Sequence, residues 1–113
     1  MQIAERSAGN VTVIDLSGPI TLTRGDDQLF KDKVNSLIHQ GHKNILVNMA
    51  GVTAVDSAGL GELVAAYTTV TKAGGTMKLV NLTKRLHDLL SITKLLTIFD
   101  TFDTEQDALR NFN

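Results

Sequence analysis

At 113 residues, with 42% apolar and 20% charged side chains, the chain has the balance of one soluble globular domain, 1–113, with no room for a second. Eleven Lys and Arg against twelve Asp and Glu leave a net charge of −1, and four Phe, one Tyr and no Trp offer little to stack on bases, which argues against nucleic acid or an anionic membrane as partner. The lack of Cys removes disulfides, thiol chemistry and thiolate zinc sites, and the start Met1-Gln2-Ile3-Ala4-Glu5-Arg6 carries charge where a signal peptide needs an apolar run, so the cytoplasm is the expected compartment.

Residues 11–16, Val-Thr-Val-Ile-Asp-Leu, are rich in β-branched types and predict a strand that Gly18-Pro19 terminates. Residues 2–7 are expected to pair with it, antiparallel, through Ala8-Gly9-Asn10. Over 26–40 the period changes: Phe30, Val34, Leu37 and Ile38 form one helical stripe, Gly41 stops it, and Thr23 with Asp26 resembles a capping pair. Residues 44–49 read as a short buried strand, followed by one loop and a second helix bearing Leu60, Leu63, Val64, Tyr67 and Val70, which Gly74-Gly75 closes. A strand over 77–82, a helix after Thr83 with Leu86, Leu89 and Leu90 inward, an edge strand over 98–102 and a helix over about 105–112 complete the chain. Strands alternating with helices of this length imply βαβ crossovers. The expected fold is α/β: a small mixed, mainly parallel β-sheet with an antiparallel edge strand, packed with about four α-helices.

The stretch Val55-Asp56-Ser57-Ala58-Gly59-Leu60-Gly61-Glu62, at the mouth of the second helix, departs from ordinary helix composition. Each Gly inside a helix costs roughly 0.8–1.0 kcal/mol relative to Ala, so two in the first turns point to a backbone that something approaches closely. Ser57 is the nucleophile-bearing side chain there, and a helix start offers orphan N–H groups and the positive end of the dipole to an anion such as a phosphoryl group. The simpler role for Asp56 or Ser57 is that of an N-cap.

Other constellations are weaker. Gly59-Leu60-Gly61 lacks the third glycine of a dinucleotide fingerprint, since Val64 stands there, and no Gly-Lys pair occurs for a phosphate-binding Walker loop. His39 and His42 are split by Gly41 and have no local third ligand, His87 stands alone, and no metal or other cofactor is expected. Asp100, Asp103, Glu105 and Asp107 lack calcium-loop order and read as a solvated face and a helix start. Lys84 and Arg85 open the third helix against its dipole, as an ordinary exposed pair or as a partner contact. No histidine can be placed to orient a triad with Ser57, so no enzyme is expected.

With Asp56-Ser57-Ala58-Gly59-Leu60-Gly61 in place, the chain resembles STAS domains of the bacterial anti-sigma factor antagonist family over nearly its whole length, including Leu16-Ser17-Gly18, Val47-Asn48-Met49, Gly74-Gly75 and Lys78-Leu79-Val80. The resemblance implies an anti-anti-sigma factor in signal transduction and transcription regulation. Such a protein binds an anti-sigma factor with a serine-kinase (histidine-kinase-like ATPase) fold while Ser57 is unmodified, thereby releasing the sigma factor. Phosphorylation of Ser57 turns binding off, and a protein phosphatase restores it. The implied partner-binding set is Thr21, Asp56, Ser57, Ala58, Gly59, Leu60 and Gly61. Two positions depart from the family pattern: Asp is common where Thr21 stands, and Ser or Thr where Ala58 stands. The alternative is a constitutive STAS subunit of a transporter or signalling scaffold, in which Ser57 only caps.

Overall fold

The computed structural model describes residues 2–20 and 26–112; Thr21 and Thr23 lie outside the described residues, and with Thr23 so does the expected capping contact to Asp26. Strands β1 (Gln2–Ala8), β2 (Val11–Ile20), β3 (Asn44–Val55), β4 (Thr76–Val80) and β5 (Asp100–Phe102) form one sheet in the order β1-β2-β3-β4-β5. Only the β1–β2 pairing is antiparallel. Gly9 and Asn10 make the tight turn between these two strands, with Gly9 at φ +64°, where a side chain would strain the backbone.

Each later strand is added on the same side of the previous one, so the crossovers place α1 (Asp26–His39), α2 (Ser57–Lys72) and α3 (Lys84–Ile92) on one face. There Ile14, Leu16, Ile45, Val47, Met49, Met77 and Leu79 meet Phe30, Val34 and Leu37 of α1, Leu63 and Val70 of α2, and Leu86 and Leu90 of α3. The period of two along the strands sends Val11, Val13, Leu46 and Val80 to the opposite face, under Ala108 of the short α4 (Glu105–Arg110), with Leu109 and Phe112 alongside.

The structure corrects several boundaries. β2 continues past Gly18-Pro19 to Ile20, and β3 runs on from Met49 to Val55, so no loop separates β3 from the start of α2 except Asp56. Pro19 is accommodated because the β1 pairing reaches only Ser17 and because register shifts accompany β2 and β3 beyond Asp15. The predicted strand over 98–102 shrinks to β5, preceded by a 3₁₀ turn at Leu95–Thr97, and Leu82 falls beyond the end of β4. α4 stops at Arg110 rather than 112. Thr83 caps α3, accepting from the Leu86 N–H at 3.2 Å, as Thr104 caps α4 at the Asp107 N–H.

Candidate functional site

The extended β2 and β3 end side by side, with Ile20 opposite Val55, and bring the start of α2 to the carboxyl edge of the sheet. Asp56 is the N-cap: its backbone is extended and its Oδ1 accepts the Gly59 N–H at 2.7 Å, while its carbonyl accepts the Leu60 N–H at 2.9 Å. The capping role therefore falls on Asp56. Ser57, the first helical residue, is exposed and lies outside that cap. The N–H groups of Ser57 and Ala58 have no acceptor within the helix, as at any helix start, and lie where the dipole is positive.

The two glycines separate into different roles. Gly59 is buried, and a Cβ there would run into the Ile20 carbonyl oxygen and stand 3.0 Å from its Cγ2. The close approach expected from the sequence is thus made by the chain's own β2, not by a visitor. Gly61 is exposed, and a Cβ on it would meet nothing within 4 Å. Leu60 is buried against the core with Leu63. Gly59 and Leu60 therefore offer a partner no side-chain surface: they hold the helix start against β2. Of the predicted set, Asp56, Ser57 and Gly61 are exposed and Ala58 is half-buried, whereas Thr21 lies outside the described residues.

A second polar constellation, not anticipated from the sequence, occupies the opposite face. Arg6 of β1 bonds Asp15 of β2, with Nε to Oδ2 at 2.8 Å, and also grips Glu105 at the start of α4. Asp15 Oδ1 accepts from the Asn48 amide at 2.8 Å, and the Asn48 oxygen accepts from Asn81 and from the Ala50 N–H, each at 3.1 Å. Hydrogen bonds from Arg6 lower the pKa of both Asp15 and Glu105, partly opposed by desolvation, and Glu105 and Asp15 in turn stabilise the Arg6 cation. Lys78, only 8% exposed, pairs with Asp100 at 2.8 Å and lies 5.6 Å from the ring centres of Phe102 and Phe112. The acidic tail is a solvated face and a helix start, with Asp100 68% exposed and Glu105 and Asp107 in the first turn of α4; the structure adds that Asp100 and Glu105 are also ion-pair partners. Sequence spacing could not reveal this, because Arg6 and Glu105 are 99 residues apart.

Among the described residues no three His, Asp or Glu side chains are grouped to hold a metal, and no helix is long and apolar enough to cross a membrane.

Comparison with known proteins places this geometry in a wider set. The STAS domain family model matches residues 2–108. The chain is 38% identical over 72 residues to the anti-sigma-B factor antagonist of Bacillus subtilis, covering 64% of this chain and 65% of that protein. It is 35% identical over 82 residues to a Thermotoga neapolitana protein described as a candidate anti-sigma factor antagonist, covering 72% and 73%. A crystal structure from Thermotoga maritima, described in the same terms, superposes with a TM-score of 0.87 at 23% identity, over 96% of this chain and 92% of that one.

Proposed function

The chain belongs to the STAS domain family, and we propose that within it this protein is an anti-sigma factor antagonist whose binding is switched by phosphorylation of Ser57. The reading is supported by the names of its relatives and, on the molecule itself, by one observation: Ser57 is exposed at the start of α2 while Asp56 does the capping. A serine needed only as a cap would occupy the cap position.

In the proposed cycle the unmodified surface around Asp56, Ser57, Ala58 and Gly61 docks on an anti-sigma factor with a serine-kinase fold, and the sigma factor is released. The partner then transfers the γ-phosphoryl group of ATP to Ser57 Oγ. ADP leaves, and the hydroxyl proton passes to a base on the kinase, so this chain supplies the acceptor and no catalytic group. The added charge of about −1.5 to −2 lies at the positive end of α2 but directly beside the Asp56 carboxylate and inside the docking face, where repulsion and desolvation weaken binding. A protein phosphatase resets the switch. The cytoplasm, where sigma factors act, is the proposed compartment.

The test is to recover the anti-sigma factor by pull-down, incubate it with this protein and ATP, and map the phosphate by mass spectrometry. Label on Ser57 is expected, and label elsewhere overturns the assignment. Ser57→Ala should bind the partner in the presence of ATP as tightly as the unmodified protein does without it. Ser57→Asp should bind at least tenfold more weakly, about 1.4 kcal/mol, by calorimetry.

A further inference from the structure

β1 is the outermost strand of the sheet, and among the described residues no strand pairs with its far edge. The turn that follows it determines which backbone groups that edge presents. Ala8 and Val11 close a two-residue turn and so form a hydrogen-bonded pair, and the register runs back without a bulge to Gln2 opposite Ser17. Ala8, Arg6, Ala4 and Gln2 therefore turn their N–H and C=O groups toward β2, whereas Ser7, Glu5 and Ile3 turn theirs outward.

An edge of this kind is a template for another strand unless charge or a bulge blocks it. Here the charges are drawn back onto the protein itself: Glu5 pairs with Lys33 of α1 at 2.6 Å, and Arg6 is held by Asp15 and Glu105. Beside the edge, Ile3 is half-buried and Leu29 of α1 is 49% exposed, and the two line a shallow groove between β1 and α1 together with Asp32, Lys33 and Ser36.

We infer that this edge pairs with the β1 edge of a second copy of the chain, antiparallel about a two-fold axis, so that one sheet runs through both molecules. Symmetry and charge fix the register. A two-fold axis normal to the sheet sets one residue opposite its own copy. Centred on Glu5 or Arg6 it would oppose like charges, and centred on Ile3 or Ser7 it would pair only an end of the strand. Centred on Ala4, it sets a small, exposed side chain against its copy, Gln2 against Arg6, and Ile3 against Glu5 on both sides of the axis. Ile3 and Glu5 are outward-facing, so each of these two pairs exchanges two backbone hydrogen bonds. Ile3 and its copy then lie on a diagonal of the same face and cover part of the groove beside Leu29. A net charge of −1 on each copy adds little repulsion. β2 separates this edge from β3 and the α2 that follows it, so Ser57 stays exposed in both copies. One strand from each side is a small contact, which makes the dimer weak and dependent on concentration.

Sedimentation velocity of the protein from about 10 μM to about 1 mM should show the average mass rising toward that of a dimer. The chain has no Cys, so Ala4→Cys is a clean probe of the register: the central pair brings its two Cα atoms to about 4.5 Å, within disulfide range. Under mild oxidation it should cross-link at least about tenfold faster than Ser7→Cys, whose copy is displaced by roughly 20 Å along the strand. Glu5→Pro removes an outward N–H without costing a bond to β2 and should abolish the dimer, with circular dichroism confirming the fold, whereas Glu5→Gln should retain it. The inference is overturned if the protein stays monomeric at about 1 mM, if Ala4→Cys cross-links no faster than Ser7→Cys, or if folded Glu5→Pro still dimerises. It is also overturned if the Ile3 and Glu5 amides gain protection from hydrogen exchange only when another protein is added, since the edge then serves a different occupant.

Discussion

Gly59 and Gly61 are two residues apart and look alike in the sequence, yet their surroundings demand opposite outcomes on substitution. Gly59→Ala drives a methyl group into the Ile20 backbone, which two paired strands hold in place, and should destabilise the protein by about 1–3 kcal/mol. Gly61→Ala meets open space within a helix and should stabilise it by up to about 1 kcal/mol. Urea denaturation of the two variants checks the pair, and a Gly59→Ala protein as stable as the parent would contradict the packing described. Asp56→Ala removes the cap from the same helix start and should cost about 0.5–2 kcal/mol, read by the same titration. Since Ser57 takes no part in that cap, Ser57→Ala should leave stability within about 0.5 kcal/mol, and binding effects of that variant are then free of folding effects.

At the scale of elements, α4 is only six residues long and cannot hold itself helical in water; what fixes it is Ala108 against the sheet and Glu105 gripped by Arg6. Asp15 and Glu105 both have folded pKa values lowered by Arg6. Their contribution is therefore present above the unfolded carboxylate values near ~4 and is lost as pH falls through the folded ones. Arg6→Met should cost about 1–2 kcal/mol at neutral pH, a modest figure because the Arg6 side chain is 43% exposed and solvent screens it. It should also flatten the acid limb of stability below pH ~4. Thermal melts of the parent and the variant from pH 7 to pH 3 measure both effects, and parallel acid limbs would rule out the Arg6 cluster as their origin.

At the scale of the whole molecule, the sheet divides the labour between its faces: three helices bury the large core on one side, and a single short helix covers part of the other. Phe30 has no exposed surface and links α1 to the main core, so Phe30→Ala should remove about 3–5 kcal/mol. Against a typical total of about 5–15 kcal/mol, this lowers the melting temperature by tens of degrees or prevents folding, as calorimetry will show. The same division places the starts of α2 and α3 at the carboxyl edge of the sheet, where β3 and β4 end.

The sequence by itself determined the element order, the antiparallel first pair and the parallel remainder, because periods of 2 and 3.6 and the Gly9, Gly41 and Gly74 stops are local signals that tertiary packing did not override. It also singled out residues 56–61 through their unusual glycine content. What only the tertiary structure decided was which residue does what. Gly59 proved to be a packing residue because Ile20, 39 positions earlier, lies against it. β2 ran on past Pro19 because β1 had ended its pairing, and Arg6 found Glu105 across the full length of the chain. Local patterning fixes backbone type, whereas contacts between distant segments depend on register and crossover, which no short stretch of sequence contains.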